Sequence, residues 1–226
     1  KSAILIKNNF PLKLMNIKIG ELKKNQVLIK IIYSGFCSSQ YGEIIGIKGK
    51  DKYIPHCLGH EACGIVVKAS NNVKNLKKKD VVVCHWMKNN GSDCEKIEYK
   101  DENNKIINSG QITTFGKYSV ISSNRLTKVS KNYNLKYLPL MGCSIPVSIS
   151  TLEKILKVKK NKNILILGAG ALGLPAIHFC KIKKLKTIDV VDINPKNLRL
   201  SKKFGATELF SNIDEKKIKV KIKNNK

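Results

Sequence analysis

Arginine is almost missing from this chain: of its 43 basic residues only two, Arg125 and Arg199, carry a guanidinium. Sites that grip phosphate or read bases favour the bidentate fork of arginine. The formal net charge of +27 therefore does not by itself announce a nucleic-acid partner. The lysines run the length of the chain among asparagines and isoleucines, three residue types that share AT-rich codons, and scattered lysines describe a solvated surface. A basic nucleic-acid-binding module, which a steep salt dependence would reveal, stays only as the less favoured alternative.

Long apolar runs are missing too. The longest, Ile164 to Ile177, has 14 residues and is broken by glycines, too short to cross a bilayer. The N-terminus lacks the sustained apolar stretch of a secretory signal, and no membrane partner is expected. Seven cysteines, an odd number at irregular spacing, make no disulfide framework and point to a reducing cytoplasm. With 42% hydrophobic and 26% charged residues the chain has the makings of a packed core, which excludes wholesale disorder or a fibre.

What is there divides in two. Short apolar stretches at Ala3–Ile6, Leu12–Met15, Val27–Ile32, Ala62–Val67, Val81–Cys84 and Tyr118–Ile121, separated by turn residues, predict a β-barrel or curled sheet. Residues 86–116 are polar and weakly periodic, and are expected to form a long surface lobe, the least ordered part of this half. Past Leu138 the pattern changes. A helix is expected from about Ser144 to Leu156, then a buried parallel strand (ILILG), a helix (ALGLPAIHFCKIKK) and a second strand (TIDVVD). Asn194, Pro195 and Gly205 punctuate a further helix as N-cap, first residue and C-terminal stop, and TELF offers a third strand. The expected domains are 1–150, all β, and 151–226, α/β. The 64 residues from Asn163 to Lys226 suffice for about one of the two mononucleotide halves of a doubly wound sheet.

Gly168-Ala169-Gly170-Ala171-Leu172-Gly173 matches G-x-G-x-x-G between a strand and a helix. In such a loop the first glycine permits the tight turn and the second a close backbone approach to a pyrophosphate. The third permits close helix–strand packing, and the helix N-terminus supplies amide donors. Asp192 stands 19 residues after Gly173 at the end of a strand, where a carboxylate accepts from ribose hydroxyls and repels a 2′-phosphate, favouring NAD over NADP. The candidate cofactor residues are Gly168, Gly170, Ala171, Leu172, Gly173 and Asp192.

Cys37, His60 and Cys143 are soft or borderline ligands far apart in sequence. Two cysteines and one histidine make one catalytic zinc set, but spacing alone does not assemble them, since cysteine is often a small buried hydrophobe. Cys57, Cys63 and Cys180 are read as such fillers, His56 and His178 as structural, and His85-Trp86 as packing at the barrel end.

Taken in order, SGFC, PHCLGHEACGIV, KKKDVVV, MGCS and GAGALG…VVDINP resemble the zinc-dependent alcohol dehydrogenases of the medium-chain dehydrogenase/reductase superfamily, over Ser2 to about Phe210. The resemblance implies a GroES-like β-barrel catalytic domain followed by an incomplete Rossmann-type domain. It implies one catalytic zinc on Cys37, His60 and Cys143, with Glu61 beside it as alternate ligand or supporting carboxylate. Ser39 would pass the substrate proton outward, and NAD would accept hydride from a small-molecule alcohol, polyol or sugar alcohol, giving an aldehyde or ketone. A homo-oligomer is implied for the full-length enzyme. Three departures stand out. Gln40 occupies a position where many members carry Asp. Between residues 84 and 116 only Cys84 and Cys94 are present, so no four-cysteine structural zinc is expected. The chain also stops before the second nucleotide-binding half, which leaves a catalytically inactive, truncated zinc-binding protein as an alternative.

Overall fold

The structure, a computed structural model, describes residues 1–47, 49 and 51–211. The chain splits into two compact units, Lys1–Cys143 and Ser144–Lys226, so that the helix at Ser144 goes with the second unit.

The first unit is built of two five-stranded sheets. One orders β2 (Lys13–Met15), β1 (Ser2–Leu5), β4 (His56–Cys57), β8 (Ile106–Asn108) and β7 (Glu98–Lys100). The other orders β10 (Leu126–Val129), β6 (Val81–Cys84), β5 (Ala62–Ala69), β3 (Gln26–Ser34) and β9 (Tyr118–Ser122). The β-branched run of β3 pairs antiparallel with both β5 and β9, and two register shifts against β5 bend it, the local twist that curls a sheet. β6 reads Val-Val-Val-Cys because both of its faces are covered. Val82 and Cys84 enter the core around Val27, Ile29 and Ile121, while Val81 and Val83 enter a second cluster with Cys63 and Leu138, as a period of two requires.

Residues 86–116 depart from the expected polar lobe. β7 and β8 pair as an antiparallel hairpin within the first sheet. Cys94, Ile97, Tyr99 and Ile107 join Ile4, Cys57 and Val120 in a core of their own. The Tyr99 hydroxyl accepts the Val120 N–H at 2.8 Å. Each strand has three residues and turns only its middle one inward, too short a period for the sequence to betray.

In the second unit β11 (Asn163–Leu167), β12 (Thr187–Val191) and β13 (Leu209–Phe210) form a parallel sheet with β12 in the middle. Helix α2 spans Ser144–Ser150 and widens over Thr151–Ile155, where the Leu156 N–H bonds to the Thr151 carbonyl. Helix α3 (Gly173–Ile182) joins β11 to β12, and α4 (Pro195–Phe204) joins β12 to β13. Ile177, Cys180, Ile188, Val190, Leu198 and Ala206 meet in one core, which is what holds so short a sheet. The Asn194 side chain accepts the Lys196 N–H at 2.9 Å, and Gly205 ends α4 at φ 118°. This strand–helix alternation is a Rossmann-type arrangement.

Candidate functional site

Cys37 precedes an α-helix of the first unit, α1 (Ser38–Ile45), in extended backbone at φ −88° and ψ 147°. Its carbonyl accepts the Gln40 N–H as the helix opens. His60 lies in the turn between β4 and β5, just after Gly59 at φ +93°. Cys143 ends the short 3₁₀ helix Leu135–Gly142. The two sulfurs and an imidazole nitrogen all lie within 4.8 Å of one another, and all three residues are half-buried.

Glycine allows that approach. A methyl at Gly142 would run into the Cys84 carbonyl and stand 2.9 Å from Glu61 Cβ, so a side chain there would lift the Cys143 segment off the strand that follows His60. The electrostatics prepare the site for a cation. Burial, with Cys37 and Glu61 pressing the same way, pushes the Cys143 thiol up to about 12. Burial also lowers His60. Without a cation the site favours a neutral thiol and a neutral imidazole, and a divalent ion is what turns such a thiol into a thiolate. Two sulfurs and one nitrogen, leaving a position open, fit zinc.

The other expected residues are placed as follows. Glu61 does not join the converging group. It is buried just before β5, its carboxylate lies against Gly35, and burial raises its pKa. Ser39 is exposed on the first turn of α1, two residues beyond Cys37. Gln40 is buried. Its Nε2 donates to Glu43 Oε2 at 2.8 Å, and its Oε1 accepts the Gly59 N–H, which ties α1 to the segment that delivers His60.

In the second unit Gly168 turns at φ +90° and its N–H donates to the Val191 carbonyl at 2.8 Å. A methyl on Gly168 or Gly170 would meet open space, whereas one on Gly173 would run into the Gly168 carbonyl. Gly173 therefore seats the first turn of α3 on the loop, and Ala171 and Leu172 are exposed between them. Asp192 Oδ2 accepts the Ala169 N–H at 2.7 Å and Asn197 Nδ2 at 3.2 Å, and Oδ1 accepts the Asn194 N–H at 2.7 Å. The Ala169 and Asn194 N–H groups hold its carboxyl below the usual carboxylate range. Strand end, glycine loop and acid are thus one hydrogen-bonded piece, open along the loop backbone.

Residues 23–131 match the family model of the alcohol dehydrogenase GroES-like domain. Over this stretch the chain is similar to the alcohol dehydrogenases. Its curated relatives include an S-(hydroxymethyl)glutathione dehydrogenase of Escherichia coli, 26% identical over 93% of this chain and 63% of the relative. Among solved structures, an alcohol dehydrogenase zinc-binding domain protein from Burkholderia ambifaria superposes with a TM-score of 0.87 at 22% identity, covering 98% of this chain and 66% of that one. Benzyl alcohol dehydrogenase from Acinetobacter calcoaceticus gives 0.85 at 24% identity, over 99% and 67%. The chain spans about 63% of the length of the curated relatives it matches.

Other residues of the chain take quieter places. Cys57, Cys63 and Cys180 are buried fillers. Cys84 and Cys94 sit in separate cores. His85 is buried, its Nδ1–H donating to the Met87 carbonyl, with Thr127 Oγ1 3.0 Å from Nε2. Trp86 is half-exposed, and its backbone N–H reaches the Gly142 carbonyl beside Cys143. His178 stands edge-on to Phe204. His56, read as structural, is buried against Asp51 and Glu43. Sequence reading passed over Gly142, whose only outward signal was its place beside Cys143.

Proposed function

We propose that the chain carries the metal-holding and dinucleotide-holding parts of an oxidoreductase that moves a hydride between a small alcohol, or a polyol or sugar alcohol, and NAD. The convergence of Cys37, His60 and Cys143 from three distant segments carries the reading, because two half-buried thiols and an imidazole with an open fourth position suit a catalytic zinc. When bound, zinc supplies Lewis acidity toward the substrate hydroxyl and NAD supplies the hydride acceptor.

The chain's own residues do the rest. Cys37, His60 and Cys143 hold the metal, with Gln40 fixing the backbone before His60 and Glu61 adding negative charge alongside. Ser39 Oγ, exposed on the same helical turn as Cys37, accepts the hydroxyl proton and passes it toward water. Gly170 lets the loop backbone approach the pyrophosphate, and the amides that open α3 donate to it. Asp192 accepts from the adenosine ribose hydroxyls and disfavours a 2′-phosphate. Seven free cysteines agree with a reducing, cytoplasmic setting.

The test is reduction of NAD by alcohols, followed as NADH absorbance, in the enzyme that contains this chain. Turnover is expected to be lost in Cys37→Ala and in His60→Ala. Activity that survives both substitutions contradicts the reading.

A further inference from the structure

A second group of donors converges in the first unit. Glu43 on the last turn of α1, Asp51 in the connection that follows and His56 in β4 each offer one ligand atom, and these atoms lie within 4.8 Å of one another. His56 Nε2 is 2.6 Å from Asp51 Oδ2 and 3.8 Å from Glu43 Oε1.

What separates this group from a chance meeting of acids is how the other polar atom of each residue is occupied. Glu43 Oε2 accepts from Gln40 Nε2 at 2.8 Å, and Asp51 Oδ1 accepts the Tyr53 N–H at 2.8 Å. His56 Nδ1 lies 3.1 Å from the Cys57 carbonyl oxygen; a carbonyl can only accept, so this nitrogen carries a proton. Asn8 braces the pair from behind, donating to the Glu43 carbonyl at 2.9 Å and accepting the Asp51 N–H at 3.2 Å. The other atoms, Glu43 Oε1, Asp51 Oδ2 and His56 Nε2, lie together, the last two within hydrogen-bond distance of each other. His56 is buried, the Asp51 side chain is 11% exposed and the Glu43 side chain 39%.

His56 Nε2 meets Asp51 Oδ2 at hydrogen-bond distance, with Glu43 Oε1 farther off on the same side. A second proton on His56 lies on one line, toward Asp51, and leaves Glu43 Oε1 out of hydrogen-bond reach. A divalent cation serves all three atoms at once, and two carboxylates balance its charge. The outer bonds are also those that orient metal-ligating histidines and carboxylates.

We infer that Glu43, Asp51 and His56 form a second divalent-cation site, separate from the Cys37–His60–Cys143 centre. Its nitrogen and oxygen donors suit a borderline ion such as zinc, cobalt or manganese. A cation there pins α1 to β4 and the connection between them. Through Gln40, which also holds the Gly59 N–H, it steadies the backbone that delivers His60. The inference does not rest on the proposed activity.

The test uses the chain with Cys37→Ser and Cys143→Ser, which removes the thiolate centre, stripped of metal and titrated with cobalt and with zinc. The expected result is uptake of about one ion per chain, with a cobalt spectrum lacking any sulfur-to-metal charge-transfer band. His56→Ala, or Asp51→Asn, is expected to weaken it at least about tenfold, the lower end of what losing even an outer partner costs. Asp51→Asn keeps an oxygen for the Tyr53 N–H, so it decides the matter where His56→Ala does not fold. A cysteine-substituted chain with wild-type circular dichroism that takes up no ion overturns the inference, as does uptake unchanged by both further substitutions. The charge-transfer band of the parent chain reports the thiolate centre separately.

Discussion

In the second unit the candidate site is contiguous: Gly168 to Gly173 and Asp192 belong to one strand–turn–helix–strand, and the acid is hydrogen-bonded to the loop itself. In the first unit the candidate centre is assembled from a helix start, a turn and the end of a 3₁₀ helix, brought together by two sheets. A contiguous site depends on local backbone geometry, and an assembled one on everything that holds its segments apart or together. Damage should therefore stay local in the second unit and spread to the ligands in the first.

The largest effect expected after loss of a ligand itself is from Gly142→Ala. The added methyl meets Cys84 and Glu61 backbone, so Cys143 moves and metal affinity, read by competition with a chelator, falls roughly 10–100-fold. Gly173→Ala meets the Gly168 carbonyl and is expected to destabilise the second unit by about 1–3 kcal/mol in denaturant unfolding, while metal affinity stays unchanged. Gly170→Ala sharpens the contrast. Its methyl enters open space, so stability should stay within about 0.5 kcal/mol while calorimetry shows weakened NAD binding. A Gly142→Ala chain with unaltered metal affinity would break the comparison.

Smaller effects concern Asp192 and Asn194. The Asp192 carboxyl is held below its ordinary value by the Ala169 and Asn194 N–H groups. Its contribution is full above the unfolded carboxylate value, about 3.9, and is lost as pH falls through the lower folded value. Asp192→Asn is expected to flatten the acid limb of the stability profile below about pH 4 and to relax preference for NAD over NADP. Asn194→Ala is expected to cost about 1 kcal/mol from the lost cap, seen in thermal unfolding, with no effect on metal affinity.

Legibility followed the same division. Strand, glycine loop, helix, second strand and Asp192 could be read because each lies in one local stretch, and Asn194, Pro195 and Gly205 stand where capping chemistry puts them. The ordered resemblance, not spacing, singled out Cys37, His60 and Cys143, since nothing local says that residues so far apart meet. Residues 86–116 were misjudged because three-residue strands with one inward side chain carry no readable period, yet Tyr99 is almost wholly buried. His56 was read as structural, and its partners, Asp51 and Glu43, lie across a turn and on a helix, out of reach of any local pattern. Gln40, noted only as a departure from Asp, links the two donor groups.

Cobalt absorption spectroscopy of the metal-substituted chain tests the central claim most directly. The account predicts a sulfur-to-cobalt charge-transfer band in the parent chain, lost in Cys37→Ala and Cys143→Ala and markedly altered in His60→Ala. A folded chain that binds cobalt without that band, or keeps it in all three variants, would contradict a centre made of these residues.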